Sequence, residues 1–194
     1  MLFSASFVAL AAVLPVAFTA PLSPRQDSAA TCTLQLNQTF TGTIVPALED
    51  LRSRWTPLTE DGKVVSATVN SYGYAEDAFF NIVPTDSGHK IQPASDPSLC
   101  AAFVDAGVSP IQLSMVDCDS EDALWSITCT ECQVTGGDRC QLHPTGKDAL
   151  CASRPYVDGF LNTEKPIELV DCVGQDDDPY SWGQYFSVGY TQLQ

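Results

Sequence analysis

The chain repeats itself, and that repetition restricts the fold more than any other feature. Ile91-Gln92-Pro93 returns as Leu142-His143-Pro144, and Leu99-Cys100-Ala101 as Leu150-Cys151-Ala152. Met115-Val116-Asp117-Cys118 returns as Leu169-Val170-Asp171-Cys172, and Trp125 as Trp182. The spacing between matches widens along the chain, as insertions in surface loops between fixed core positions would produce. A fainter copy precedes these two. Ile44-Val45-Pro46 stands for Ile91-Gln92-Pro93 and Phe80-x-Ile82 for Trp125-x-Ile127, without the paired cysteines.

Between the landmarks lie short apolar runs bounded by Pro, Gly and Asp, with no sustained helical period, which predicts strands throughout. Thr31 to Thr43 reads as one or two strands. Ala47 to Trp55 reads either as one or two helical turns or as a loop and a short strand; Pro57 ends any helix there. Asp61-Gly62 predicts a hairpin into Val64 to Val69. The 13 prolines suit a chain made of turns. A unit of about four short strands exposes an apolar face that it cannot bury alone. Three such units can close into one barrel and remove their edges. Phe80, Trp125 and Trp182, at repeat-locked positions, are expected in its core.

The first twenty residues carry no charge, and Leu2 to Val16 is almost wholly apolar. The run is too short to span a membrane and reads as a secretory signal peptide over residues 1–20. Residues 21–30 read as a flexible leader or propeptide. Residues 31–194 form one domain, with copies at about 31–86, 87–136 and 137–194. Its 8 cysteines, an even number behind an export signal, point to disulfides and an extracellular location. The formal net charge of -15 argues against nucleic acid and anionic membranes as partners. Asn37-Gln38-Thr39 is an N-glycosylation acceptor, which implies a surface position.

Cys100 and Cys118 enclose the body of the second copy, and Cys151 and Cys172 that of the third. Local pairing gives Cys100–Cys118 and Cys151–Cys172. Of the other four, Cys132–Cys140 would clip the turn around Gly136-Gly137, leaving Cys32–Cys129 to tie the N-terminal strand to mid-chain. The alternative exchanges Cys129 and Cys132, and sequence does not choose between them. Cys129-Thr130-Glu131-Cys132 is also a C-x-x-C, but no βαβ pattern or second C-x-x-C accompanies it.

No catalytic motif is present. His89 and His143 fall in turn-rich segments and read as surface histidines. Glu121, Asp122 and Asp176 to Asp178 offer carboxylates with nothing to fix their separation for glycoside hydrolysis. Asp117-x-Asp119-x-Glu121 has oxygen-ligand spacing but lacks the glycine and terminal Glu of a calcium loop. Asp117 and Asp171 recur before a cysteine, which suits acceptance of backbone hydrogen bonds in a turn. No metal or cofactor is expected. Aromatic rings beside carboxylates are the features that suit sugar. Phe103-Val104-Asp105 and Tyr156-Val157-Asp158-Gly159-Phe160 occupy corresponding loops, so Phe103, Asp105, Tyr156, Asp158 and Phe160 are the candidate ligand-binding residues. Trp55 is a further ring outside the repeating strands.

Leu99-Cys100, Val116-Asp117-Cys118 and Leu124-Trp125-Ser126-Ile127, with their third-copy counterparts through Ser181-Trp182-Gly183-Gln184-Tyr185, resemble the ricin B-type β-trefoil lectin family. More loosely, the chain resembles small secreted fungal proteins that carry such a domain. The resemblance implies an all-β β-trefoil: three four-strand units, a six-strand barrel with a hairpin cap, local disulfides and up to three shallow sugar sites. It implies galactose or N-acetylgalactosamine recognition, as in the family's best-known branches. The family's sugar-coordinating Asp falls two residues after the first cysteine of a copy, where this chain has Ala102 and Ser153. The Gln of its Gln-x-Trp signature falls on Ala123 and Tyr180. The expectation is a secreted, non-enzymatic, lectin-like protein that binds glycans or cell-wall polysaccharide. The alternative is a protease inhibitor or other protein-interaction module on the same scaffold.

Overall fold

The structure, a computed structural model, describes residues 31–47, 54–61, 63–70, 78–105, 107, 109–154, 156–157, 160–161, 166–174 and 183–190. The expected signal peptide and leader lie outside these residues, as do Trp182, Asp158 and the acidic run 176–178.

A short strand, β1 (Cys32–Thr33), precedes three four-strand units. The first holds β2 (Phe40–Pro46), β3 (Arg54–Glu60), β4 (Lys63–Asn70) and β5 (Phe80–Thr85). The second holds β6 (Gly88–Pro93), β7 (Leu99–Phe103), β8 (Ile111–Asp117) and β9 (Trp125–Gln133). The third holds β10 (Gly136–Pro144), β11 (Leu150–Ser153), β14 (Glu168–Asp171) and β15 (Phe186–Tyr190). Two short strands, β12 (Tyr156–Val157) and β13 (Phe160–Leu161), pair inside it. Trp55 thus enters a strand, and Ala47 is the last described residue before it.

The first and last strands of each unit form the barrel, in the order β9-β10-β15-β2-β5-β6 and back to β9. Closure leaves no barrel strand with a free edge. The middle strands form three hairpins, β3/β4, β7/β8 and β11/β14. These meet at one end: Ile167 N donates to Ala67 O at 2.9 Å, Leu113 N donates to Ile167 O at 2.7 Å, and the Ser66 hydroxyl donates to Leu113 O.

The register is threefold. Where one unit hands over to the next, Phe80 opposes Pro93, Trp125 opposes Pro144 and Phe186 opposes Pro46. Two residues along, Ile82 opposes Ile91, Ile127 opposes Leu142 and Val188 opposes Ile44. All nine apolar residues other than the prolines are sealed from solvent, which is the inward half of a period-two alternation. The fold is a β-trefoil.

This register corrects one sequence match. The counterpart of Phe80 and Trp125 in the third unit is Phe186, not Trp182. Trp55, with no exposed surface, sits among these three rings, with centroids 6.0 Å from Phe80, 6.4 Å from Trp125 and 5.6 Å from Phe186. The near-perpendicular pairs with Phe80 and Phe186 set ring edge against ring face, the favoured geometry.

The disulfides are Cys100–Cys118, Cys151–Cys172, Cys129–Cys140 and Cys32–Cys132. The first two close the bodies of the second and third units. The other two correct the pairing Cys132–Cys140 with Cys32–Cys129 in favour of its alternative. Cys129 continues the inward alternation Trp125, Ile127, Cys129 and lies directly opposite Cys140, with Cα atoms 3.8 Å apart. Cys132 lies three residues on, in the exposed tail of β9, and bonds the N-terminal strand. Gly137 makes room for the inner bridge: a Cβ there would lie 2.5 Å from Cys129 Sγ.

Candidate functional site

The threefold pairing is broken between β6 and β9, and a cleft opens there. In the first unit Phe40, Thr41 and Gly42 pair with Ile82, Asn81 and Phe80. The equivalent start of β6 is cut short by the tight turn from Thr85 to Gly88, in which the Thr85 hydroxyl donates to Gly88 O at 3.0 Å. His89, the counterpart of Gly42, opposes Trp125, and this is the only paired position between β6 and β9. The N-terminal segment takes the vacated edge of β9. Cys32 opposes Cys129, Thr33 opposes Thr128, and Leu34 N donates to Ile127 O at 2.8 Å. Leu34 and Leu36 bury their side chains there.

Where β6 leaves β9 and the N-terminal segment joins it lies a cleft of about 520 Å3. One wall is Thr33 to Asn37; the other runs from Pro84 to His89. Ser126, Thr145, Gly146 and Asp148 complete it. Its chemistry is mixed. Leu34, Leu36 and Pro84 are apolar; hydroxyl, amide and carboxylate groups surround them. Asp86 and Asp148 are both exposed, and no Lys or Arg lines the cleft among the described residues. Such a lining disfavours anions and suits neutral polyhydroxyl ligands, whose hydroxyls donate to carboxylates in charge-assisted hydrogen bonds.

His89 is 6% exposed, and its Nδ1 is buried without a hydrogen-bond partner among the described residues. Burial pushes its pKa below the usual 6.5, with the Trp125 backbone pulling the other way. Gly88 lets the turn approach this closely: φ is 144°, and a Cβ there would lie 2.6 Å from Trp125 O.

His143 is also buried, so neither histidine is the surface residue that its turn-rich segment suggested. Both stand on barrel strands next to the turns. His143 Nδ1 lies 3.2 Å from Leu150 O and 3.6 and 3.5 Å from the sulfurs of Cys151 and Cys172. These three residues are a metal-capable trio by distance alone. Both sulfurs are committed to each other, which removes the thiolates that a metal would need. Gln92 takes the corresponding place in the second unit, with Nε2 3.4 Å from Cys118 Sγ.

The residues expected to bind ligand are placed differently. Phe103 is 1% exposed and packs on Trp125 with ring centroids 5.4 Å apart, so it is a core ring and not a platform. Trp55 is corrected in the same way. Asp105 is exposed, but its Oδ1 accepts from Gly107 N at 2.8 Å and caps its own turn. Tyr156 and Phe160 stand on β12 and β13, which form a separate small hairpin. Asp117 Oδ1 accepts from Asp119 N at 2.9 Å, a turn role. Asn37 is exposed on a bend between β1 and β2.

The positions where the resemblance puts a sugar-coordinating Asp are closed. Ala102 is fully buried, and the Ser153 hydroxyl donates to Arg154 O at 3.2 Å. The corrected register moves the signature Gln from Tyr180 to Gln184, two residues before Phe186. Its Oε1 accepts from Val173 N at 2.9 Å and its Nε2 donates to Asp171 O at 2.8 Å. Both ends of this amide hold backbone.

Among solved structures, the chain is similar to the ricin B-like lectin of Macrolepiota procera in complex with lactose. The TM-score is 0.56 at 14% identity, covering 81% of this chain and 99% of that one. The fold is ricin B-type. A non-toxic homologue of type II RIPs from Momordica charantia (bitter gourd), in complex with alpha-methyl-D-galactoside, gives 0.54 at 14% identity, covering 79% and 49%. A mosquitocidal holotoxin gives 0.56 at 13% identity, covering 77% of this chain and only 16% of that one. No family model and no curated protein sequence matches the chain. The ricin B-type barrel is thus kept on very different sequence, and the cleft lies where this chain's N-terminal segment interrupts it.

Proposed function

We propose that this is a secreted, non-catalytic, lectin-like protein that binds neutral glycans in the cleft between the N-terminal segment and the turn from Thr85 to Gly88. The carrying observation is the lining of that cleft: polar side chains, His89 and two carboxylates around apolar residues, with no Lys or Arg among the described residues that form it. A sugar offers the matching pattern of hydroxyl donors on an apolar ring face. The fold supports the reading, since two proteins that share it were solved with lactose and alpha-methyl-D-galactoside. Cell-wall polysaccharide is one source of such a ligand.

A glycan array run with the secreted protein lacking its Asn37 acceptor is the test. Binding to neutral oligosaccharides is expected, with loss in the Asp86→Ala/Asp148→Ala double variant. Loss in Asp105→Ala, with the double variant unaffected, would move the site to the loop after β7. A blank array together with inhibition across a protease panel would replace the lectin reading by the inhibitor one.

A further inference from the structure

The acceptor asparagine for glycosylation is itself part of the cleft. Asn37 belongs to the sequon Asn37-Gln38-Thr39, all three residues are exposed, and Asn37 lines the same wall as Leu34 and Leu36. A sugar joined to its side chain begins at the rim of a pocket suited to sugar. We propose that Asn37 carries an N-linked glycan whose first sugars lie in the cleft, so that the protein is produced with its own site covered. This rests on the secretory, sugar-binding reading given above.

The modification is a group transfer. Asn37 Nδ2 forms a bond to the anomeric carbon of the first sugar, and the bond from that carbon to a lipid-linked diphosphate breaks. The amide gives up one proton, and the diphosphate leaves with the bonding pair. Tethering then does what affinity alone need not do. A ligand on a short flexible link experiences a local concentration in the millimolar range, so even a weak site is filled. Neutral sugar hydroxyls meet Asp86, Asp148 and Ser126 without opposing charge. His89 lines the same cleft, and its buried Nδ1 has no hydrogen-bond partner among the described residues.

The sequence makes this directly measurable, because the chain has only 2 histidines. The full chain would be secreted from eukaryotic cells, with Thr39→Ala and Asn37→Gln each removing the acceptor. Intact mass and peptide mapping read Asn37 occupancy, and ring carbon–proton NMR reads the imidazoles. The expected result is an occupied Asn37, and His89 ring resonances that shift between wild type and both variants while those of His143 stay in place. Binding of array oligosaccharides should strengthen by about tenfold or more in the variants if nine-tenths of the wild-type sites are covered. An unmodified Asn37, or His89 resonances identical with and without the glycan, would overturn the proposal. If the His89 resonances shift but no array sugar binds any form, the cover stands and the reading of the cleft as a site for foreign glycans falls.

Discussion

The Trp125 indole donates its Nε1 hydrogen to the carbonyl oxygen of Ala101 at 2.8 Å, joining the start of β9 to the hairpin of the same unit. Both residues are fully buried. Trp125→Phe keeps an aromatic ring on Phe103 and Trp55 but leaves that carbonyl unpaired. An orphaned buried acceptor costs about 1–3 kcal/mol. The urea midpoint should fall by the corresponding amount with an unchanged slope. An unchanged midpoint would show that the bond contributes nothing.

The two corrected disulfides predict different losses. Cys32–Cys132 closes a span of 100 residues and Cys129–Cys140 one of 11. On a chain-entropy estimate, removing the long bridge costs about 4–5 kcal/mol and the short one about 3 kcal/mol. Cys32→Ser/Cys132→Ser should therefore lower the thermal midpoint more than Cys129→Ala/Cys140→Ala. It should also weaken ligand binding, because the N-terminal segment forms one wall of the cleft. Non-reducing peptide mapping checks the pairing itself. A Cys132–Cys140 peptide would contradict the fold described.

His89 predicts a loss of stability in mild acid. Burial holds its pKa below 6.5, so the unfolded chain takes up a proton that the folded chain refuses. The folded protein is then fully favoured above pH 6.5 and loses stability as the pH falls toward the depressed value. The slope is limited to about 1.4 kcal/mol per pH unit. Denaturation followed as the pH is lowered from 6.5 should show stability falling within this limit in wild type and a flatter dependence in His89→Gln. Parallel curves would mean that His89 is not the titrating group.

Gly189 marks a close approach of β15 to the start of β10. Its φ is 85°, and a Cβ there would fall well inside contact distance of the Thr135 carbonyl oxygen, with Gly136 Cα 3.0 Å away. Gly189→Ala should cost about 2–4 kcal/mol, from strain in the left-handed region plus the displaced backbone. Gly146→Ala is the control. Its φ is 77°, but a Cβ there meets nothing within 4 Å, so it bears the backbone strain alone and should cost less.

Much of the barrel was legible because it is built from apolar pairs that recur. Ile91, Leu142 and Ile44 announce the first strand of each unit; Phe80-x-Ile82 and Trp125-x-Ile127 announce the last. The third unit misled because Trp182 invited a match by identity. Phe186-x-Val188, with the same alternation, was the better signal, and it would have recovered Gln184 as well. The inner disulfide was also readable. Trp125, Ile127 and Cys129 share one parity, and so do Cys140 and Leu142, which sets Cys132 apart. The cleft was not readable. It arises from residues that β6 lacks and from an N-terminal segment outside the repeat, and neither leaves a periodic trace. Phe103 looked available because a ring beside an Asp resembles a sugar platform; only the packing shows that Trp125 covers it.

The single paired position between β6 and β9, His89 against Trp125, makes that junction the thinnest joint of the barrel. The N-terminal segment props it from one side only. A molecule resting across the gap would act as a splint, touching both sides of the joint at once. Occupancy should therefore be legible as resistance to heat and to proteases at the turn from Thr85 to Gly88, before any assay of what has been bound.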